Sequence, residues 1–267
     1  MRWRCCTKAS RKNSADVARI DLNCDLGEGA GHDRELMPLV TSANIACGAH
    51  AGDRETMRAT VGLAREHDVA IGAHPGFRDR EHFGRRELAL STEELRRLVR
   101  KQIATLAEFA PVRHVKPHGA LYNLAARDRA VADAIAEAVS EIDPRLVLFG
   151  LTGSELVAAG RARGLRVVGE FFADRTYRSD GSLTPRTQAG ALIEDEATAV
   201  SQVLRMVTEG VVRATNGADV TIDAETVCLH GDGPHAVAFA RQLREALRAA
   251  GVEVRPVCHL LDDKRPG

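Results

Sequence analysis

The chain has 267 residues, a length that suits one large α/β domain or two small ones and allows a substantial core. Lysine plus arginine and aspartate plus glutamate are equal at 37 each, so the charge gives no reason to expect nucleic acid or an anionic membrane as a partner. Apolar runs are short and interrupted by charges, so we expect neither a transmembrane helix nor a signal peptide. Six cysteines without a C-x-x-C spacing are typical of reduced thiols, and we expect a cytoplasmic protein.

Short β-like runs alternate with helical periodicity along most of the chain. Residues 1–18 are basic and polar without periodicity, so we expect a disordered extension there and a single domain over residues 19–267. The alternation indicates an α/β fold with parallel strands and right-handed crossovers. The predicted strands are RIDLN, SANIA, VAIGA, RHVK, LVLFG, RVVGE and TVCLH, and the predicted helices span 53–67, 92–109, 128–140, 154–163, 195–209 and 234–250.

Local signals mark several boundaries. Ser91 and Glu94 form a capping-box pattern, and Asp53 is suited to cap the first predicted helix. Asn216 and Gly217 predict a hairpin with a type I′ turn between two β-like runs over residues 211–223.

Two connections are longer than ordinary βα loops. They span residues 75–90 and 171–191 and are rich in charged and aromatic side chains. Loops of this length are usually lids, binding loops or disordered segments.

The first strand runs into a dense group of polar residues, IDLNCDLGEG. Strand alternation places Asp21, Asn23 and Asp25 on one face and Leu22 and Cys24 on the other. Carboxylates on an inward face are costly unless they are paired, hydrogen-bonded or metal-bound. Turns and helix caps are the alternative explanation of this pattern.

Reactive side chains follow nearly every predicted strand. In a parallel α/β fold these strand ends lie at one face, where such folds build their sites. Individually, the residues could be capping or structural groups, but their joint placement favours an active site. The candidate residues are Asp21, Asn23, Asp25, Glu28, Asn44, His50, His74, Lys116, His118, Arg175, His230 and Asp232.

Two kinds of chemistry fit this set. Carboxylates beside imidazoles and an ammonium group supply a general base, a general acid and an oxyanion stabiliser, as the addition of water to a carbonyl or amide requires. Alternatively, Asp25, His50, His74 and His230 could hold a divalent metal such as zinc or manganese. The chain has no G-x-x-x-x-G-K-[ST] loop, so its residues alone do not predict a nucleotide site.

Six motifs resemble the LamB/YcsF family and run in order over nearly the whole chain after the extension. They are IDLNCDLGEG, ANIACGAHAGD, GAHPGF with FGRREL, VKPHGALYN, FADRTYRSDGSLTPR with GALI, and VCLHGDGPHAV. The resemblance implies an irregular seven-stranded TIM-like β/α barrel of the glycoside hydrolase/deacetylase type. It also implies ATP-coupled hydrolysis of 5-oxo-L-proline to L-glutamate with partner subunits B and C. Ala49 stands where the family pattern often has Phe, which bears on pocket size.

Within that implied activity, each candidate residue has an expected role. Asp25 is the expected general base, with Asp21 and Glu28 as alternative carboxylates. The catalytic imidazoles are His50, His74, His118 and His230, and the substrate-binding set is Asn23, Asn44, Lys116, Arg175 and Asp232. In that set Lys116 and Arg175 would hold phosphate or the substrate carboxylate, since an arginine fork suits a carboxylate.

Two alternatives to this function stay open. The first is a metal-dependent deacetylase or amidohydrolase that works alone. The second is a substrate-binding subunit without chemistry of its own. The residues do not decide whether ATP is bound by this chain or by a partner.

Overall fold

The computed structural model describes residues 18–231, 233 and 235–257. Asp232 was predicted to bind substrate, and it lies outside the described residues. Residues 1–17 of the predicted extension also lie outside them. No helix in the described ranges is long and apolar enough to cross a membrane.

Seven parallel strands form a closed barrel, as predicted. Six consecutive strands pair in chain order, and the seventh barrel strand, β9, pairs with both β6 and β1 and so closes the cylinder. The strands are β1 (Arg19–Leu26), β2 (Ser42–Ala46), β3 (Ala70–His74), β4 (His114–Val115), β5 (Val147–Leu151), β6 (Val167–Phe172), β7 (Val211–Arg213), β8 (Asp219–Thr221), β9 (Thr226–Leu229) and β10 (Glu253–Val254). The short strand β10 extends the sheet by pairing with the start of β1.

The helices pack around the barrel. The six predicted helices are confirmed to within two residues at each end, whereas α4 and the single turn of α1 were not predicted. The helices are α1 (Asp33–Leu36), α2 (Arg54–Glu66), α3 (Thr92–Ala107), α4 (Gly119–Arg127), α5 (Arg129–Ile142), α6 (Glu155–Ala162), α7 (Glu196–Glu209) and α8 (Ala236–Ala249). The start of α4 is hard to recognise in the sequence because Gly119, with φ +53°, follows a Pro-His pair that is typical of a turn.

The predicted caps are present, but the predicted hairpin turn is wrong in type. Ser91 and Glu94 form a reciprocal capping box, and Asp53 accepts a hydrogen bond from the Thr56 amide. Strands β7 and β8 form the hairpin, yet in its turn only Gly217 has a positive φ. The Gly217 amide donates to the Ala214 carbonyl, which makes a three-residue loop with a bulged glycine instead of a type I′ turn.

The two faces of the barrel strands contact different environments. Leu22, Cys24 and Leu26 of β1 point outward into the apolar layer between strands and helices. Asp21 and Asn23 point into the barrel and are fully buried. The predicted alternation of β1 is therefore confirmed, and it gives the barrel a polar interior inside an apolar shell.

The two long connections lie at the ends of β3 and β6. The 75–90 connection buries Phe77, and the 171–191 connection buries Tyr177, whose ring stacks on Phe171 at 5.1 Å. Ala49 lines a cavity of about 660 Å³ between α2, α3 and the first connection. Both connections are thus packed against the barrel by their own aromatic side chains.

Candidate active site

Lys116 lies at the centre of the polar interior. It follows β4, its side chain is 2% exposed, and its ammonium group lies 2.9 Å from Asp25 Oδ1 and 2.9 Å from Glu170 Oε1. It also contacts Asn23 Oδ1 at 3.1 Å and Cys228 Sγ at 3.0 Å. Burial alone would lower the pKa of Lys116, but the Asp25 carboxylate and its neighbours raise it well above its usual value. Lys116 is therefore a cation whose hydrogen-bonding capacity is used by protein groups.

Two asparagines join the strands beneath Asp25. Asn44 Nδ2 donates to Asn23 Oδ1 at 2.8 Å and to Asp25 Oδ1 at 2.9 Å. The Asn44 oxygen accepts from His114 Nε2 at 2.9 Å, and His114 stacks on Phe149. Burial lowers the pKa of His114 to about 3, so this imidazole is neutral. The asparagines are held by the protein and fix the position of Asp25.

Asp21 closes the bottom of the network. Its carboxylate accepts hydrogen bonds from Thr41 at 2.8 Å, Ser42 at 2.7 Å and Thr226. Burial raises the pKa of Asp21 to about 6, although those hydrogen bonds act in the opposite direction. Asp21 is therefore a buried structural carboxylate, well below the strand end that carries Asp25.

Asp25 is the interior carboxylate that reaches the mouth of the barrel. Its side chain is 13% exposed, and Oδ2 lies 3.3 Å from His74 Nε2. Burial would raise its pKa, but His74 and Lys116 hold it well below the usual range. Asp25 is consequently ionised and presents one oxygen to the mouth.

Glu28 and three histidines converge beside Asp25. Glu28 Oε1 lies 3.0 Å from His50 Nε2 and 3.2 Å from His118 Nδ1, and His74 Nε2 lies 3.0 Å from His118 Nδ1. One ligand atom from each of the four residues lies within 4.8 Å of the other three. Burial would raise the pKa of Glu28, but hydrogen bonds with His118 and His50 lower it to about 2. Burial lowers the pKa of His50 to about 4.

The outer nitrogens of two of these rings are bound to backbone carbonyls. His74 Nδ1 donates to the Lys116 carbonyl at 2.7 Å, and His118 Nε2 donates to the Phe83 carbonyl at 2.8 Å. Because a carbonyl only accepts, those nitrogens carry the protons, and the two inner nitrogens would face each other as lone pairs. The cluster therefore needs a cation, either an extra proton on one ring or a metal ion.

Backbone geometry brings these rings together. Phe83 adopts φ +54°, an uncommon conformation for a bulky residue, and it presents the carbonyl that His118 needs. A Cβ on Gly84 would lie 2.8 Å from His50 Cβ, and a Cβ on Gly76 would lie 2.7 Å from His50 Nδ1. The stacked His50 and His118 rings, 3.7 Å apart, thus require glycine at both positions.

A second imidazole site lies at the end of β9. His230 Nδ1 lies 2.7 Å from Asp174 Oδ2, and His230 Nε2 accepts from the Arg186 guanidinium at 2.8 Å. The His230 ring stacks on Phe172, whose ring centroid lies 5.4 Å from Lys116 Nζ. Phe172 thus connects the His230 site to the Lys116 network through its ring contacts.

The structure separates the predicted residues into groups. Asp25, Glu28, His50, His74 and His118 meet at the mouth, whereas Asp21 and the asparagines lie beneath it. Arg175 is buried, and its guanidinium donates to the carbonyls of Thr184 at 2.5 Å and Ala191 at 3.3 Å. It holds the 171–191 connection together, and no hydrogen bond links it to the cluster of Asp25 and the histidines in the described residues.

Several polar residues of the site were not in the predicted set. Their common signal was position, because all except Tyr122 of α4 lie on a barrel strand, just behind one, or in a long connection next to one. The Tyr122 hydroxyl donates to Glu170 Oε2 at 2.7 Å. Helix α4, which was not predicted, thus contributes a side chain to the polar interior. The residues outside the predicted set are His114, Tyr122, Glu170, Asp174, Arg186, Thr226 and Cys228.

Comparison with known proteins decides the family. The model of the LamB/YcsF family matches residues 20–262. The chain belongs to the LamB/YcsF family. It is 55% identical over 249 residues to the A subunit of 5-oxoprolinase from Bacillus subtilis (strain 168), covering 90% of this chain and 97% of that protein. It is 54% identical over 249 residues to the protein of the same name from Tolumonas auensis, covering 90% and 99% of the two chains.

Solved structures support the barrel assignment. The crystal structure of the lactam utilization protein from Thermus thermophilus has a TM-score of 0.84 at 50% identity, covering 89% of this chain and 99% of that one. A T48 deacetylase bound to substrate has a TM-score of 0.50 at 14% identity, covering 93% of both chains, and indicates a shared fold only. The expected fold of this LamB/YcsF member is thus confirmed.

The raised pKa of Asp21 predicts a specific pH dependence of stability. Because the folded state binds the Asp21 proton more tightly than the unfolded state, this residue stabilises the fold at low pH. That contribution is lost as pH rises through 6. Between pH 5 and pH 7 the wild type should lose about 1 kcal/mol of unfolding free energy relative to Asp21→Asn, measured by urea denaturation. The surface variant Asp133→Asn should show the same pH dependence of unfolding free energy as the wild type. If the unfolding free energy of Asp21→Asn also changes with pH in parallel with the wild type, the prediction is contradicted.

Proposed function

We propose that this chain is the A subunit of an ATP-dependent 5-oxoprolinase and hydrolyses 5-oxo-L-proline to L-glutamate together with partner subunits B and C. The observation that carries the proposal is the 55% identity to the A subunit of the Bacillus subtilis 5-oxoprolinase over 90% of this chain. ATP, the named partners and a cytoplasmic location are parts of the proposal. The polar barrel mouth with an ionised carboxylate and several imidazoles supports a hydrolase.

The substrate sets the chemical problem. An unstrained five-membered lactam is a poor electrophile, because its nitrogen lone pair is delocalised into the carbonyl. Phosphorylation of the lactam oxygen, at the expense of ATP, makes the ring carbon open to attack by water. The enzyme must then position and deprotonate a water molecule and protonate the leaving nitrogen.

Asp25 is the proposed general base. Asn44 and Lys116 hold its Oδ1, which leaves Oδ2 facing the mouth next to His74. An ionised carboxylate in a fixed orientation can align a water molecule for attack and accept its proton. Lys116, whose bonds are all made to protein groups, acts here as a positioning residue for Asp25.

His230 is the proposed general acid. Asp174 binds His230 Nδ1, which fixes the ring and stabilises it when Nε2 becomes protonated. Protonated Nε2 then donates to the ring nitrogen as the C–N bond breaks. Glu28, His50, His74 and His118 remain beside Asp25 as the second group of polar side chains at the mouth.

Glutamate release tests the proposal. We expect glutamate from the chain with partner subunits, 5-oxo-L-proline and ATP, and none when ATP or the partners are omitted. Asp25→Asn should lower the rate by roughly a hundredfold or more, because the general base is lost, and His74→Ala should also lower it. The surface variant Asp133→Asn is the control and should retain the wild-type rate.

Two outcomes of that assay count against the proposal. Full ATP-coupled activity in Asp25→Asn and His74→Ala would refute the assigned chemistry. Substrate binding without any turnover, even with partners and ATP, would favour a substrate-binding subunit.

The histidine cluster favours a second candidate, a metal-dependent deacetylase or amidohydrolase that works alone. Three imidazole nitrogens and one carboxylate oxygen are a suitable donor set for a divalent transition metal. The outer nitrogens of His74 and His118 donate to backbone carbonyls, and these hydrogen bonds hold each ring in the orientation that is typical of metal-bound histidines. Glu28, His50, His74 and His118 would hold the ion, which when bound would polarise a carbonyl or acidify a water molecule. This set replaces Asp25 and His230 of the sequence-based set by Glu28 and His118.

Metal analysis separates the two candidates. The second function predicts one equivalent of metal in protein purified without chelators, its loss in His118→Gln, and hydrolysis without ATP or partners. His67→Gln, at a position on the surface after α2, is the matched control and should keep the metal. Full activity of the complex after exhaustive chelation would contradict the second function.

A further inference from the structure

Arg186 forms a hydrogen bond with Nε2 of His230, the nitrogen that would donate the proton in the proposed reaction. Its guanidinium donates to His230 Nε2 at 2.8 Å, and Asp174 holds the opposite nitrogen of the ring. While Arg186 donates to it, Nε2 has no free lone pair to take up the proton that it must deliver. In this arrangement His230 cannot deliver a proton from Nε2.

Arg186 also differs from the other cations considered for substrate binding. Lys116 is surrounded by Asp25, Glu170 and Cys228, and Arg175 uses its guanidinium to bind backbone carbonyls of the same connection. Arg186 is exposed, and in the described part of the chain its guanidinium makes a hydrogen bond to His230. Most of its five donors thus remain available to a ligand at the mouth.

We propose that Arg186 binds the carboxylate of the substrate and, in doing so, leaves His230 Nε2 free to protonate the ring nitrogen. This inference rests on the proposed function, since it assigns the residue that recognises the carboxylate of 5-oxo-L-proline. It replaces Arg175, the arginine chosen from the sequence, by a residue eleven positions further along the same connection.

Hydrogen bonding favours the move of Arg186 from His230 to the substrate carboxylate. A guanidinium paired with a carboxylate makes two charge-assisted hydrogen bonds, whereas its bond to a neutral imidazole is a single one. Once released, Nε2 takes a proton from solvent, and Asp174 stabilises the resulting imidazolium. As water adds to the phosphorylated ring carbon, Asp25 accepts a proton from it. When the adduct collapses, its hydroxyl loses a proton to solvent, the C–N electron pair moves to nitrogen, and His230 supplies the proton for that nitrogen. The acyl phosphate that remains is hydrolysed by water to glutamate and inorganic phosphate. Binding of the correct substrate thus prepares the acid.

The test compares Arg186→Gln, Arg186→Lys and the control Arg178→Gln in the complex with partner subunits and ATP. Arg178 lies in the same connection but bonds to Gln188. For 5-oxo-L-proline we expect the KM of Arg186→Gln to rise roughly 30-fold or more, Arg186→Lys to be intermediate, and Arg178→Gln to stay within about twofold of the wild type. A wild-type KM in Arg186→Gln, or a fall in kcat alone, would overturn the inference.

Calorimetric binding to the full chain keeps the inference testable without turnover. The wild type should bind 5-oxo-L-proline more tightly than 2-pyrrolidinone, which lacks the carboxylate, and Arg186→Gln should lose that preference. Equal affinities of the wild type for the two lactams, or no binding of either, would overturn the inference. The proposed function fails on a different result, the absence of glutamate from the wild-type complex with ATP.

Discussion

The ammonium group of Lys116 is the cation on which the polar interior of the barrel depends. It lies 2.9 Å from two carboxylates on different strands of the barrel, Asp25 near the end of β1 and Glu170 on β6. Removing one partner of a buried ion pair commonly costs about 3–5 kcal/mol, because an uncompensated charge is left in a medium of low dielectric. A barrel filled with apolar side chains would avoid that cost. This chain instead maintains a charged interior, and the result is an ionised Asp25 in a fixed position.

The site is built from two parts of different character. The inner part, around Lys116, is buried and fully hydrogen-bonded, so its geometry is set by the fold. The outer part is carried by the two long connections, which bring Phe83 to His118 and Arg186 to His230. Such a division suits an enzyme in which a rigid base must meet a substrate that arrives from outside. It also explains why the recognition of substrate is assigned to the exposed part.

Sequence patterns predicted the parallel strands and the inward-facing residues of β1, because both follow from strand periodicity, whereas the closed barrel was implied by the family resemblance. Alternation in β1 separates Asp21, Asn23 and Asp25 from the apolar layer, and parallel pairing collects the strand ends at one face. The outer site depends on how the connections fold, which periodicity does not encode. Arg175 and Arg186 lie in the same connection, and no sequence pattern distinguishes them. In the structure, Arg175 donates to backbone carbonyls, whereas Arg186 donates to His230. Similarly, His118 meets Glu28 because Phe83 and Gly84 adopt positive φ, a property invisible in the residue types.

The most direct test of the central claim is a double-mutant cycle of Lys116→Met and Glu170→Gln, with unfolding free energies from denaturant titration. If the buried ammonium group balances the two carboxylates, Lys116→Met will be strongly destabilising, and Glu170→Gln will recover part of that loss by removing one unpaired charge. We predict that the double variant is more stable than the sum of the single effects by about 2 kcal/mol or more. Additive effects, within about 0.5 kcal/mol, would contradict the account.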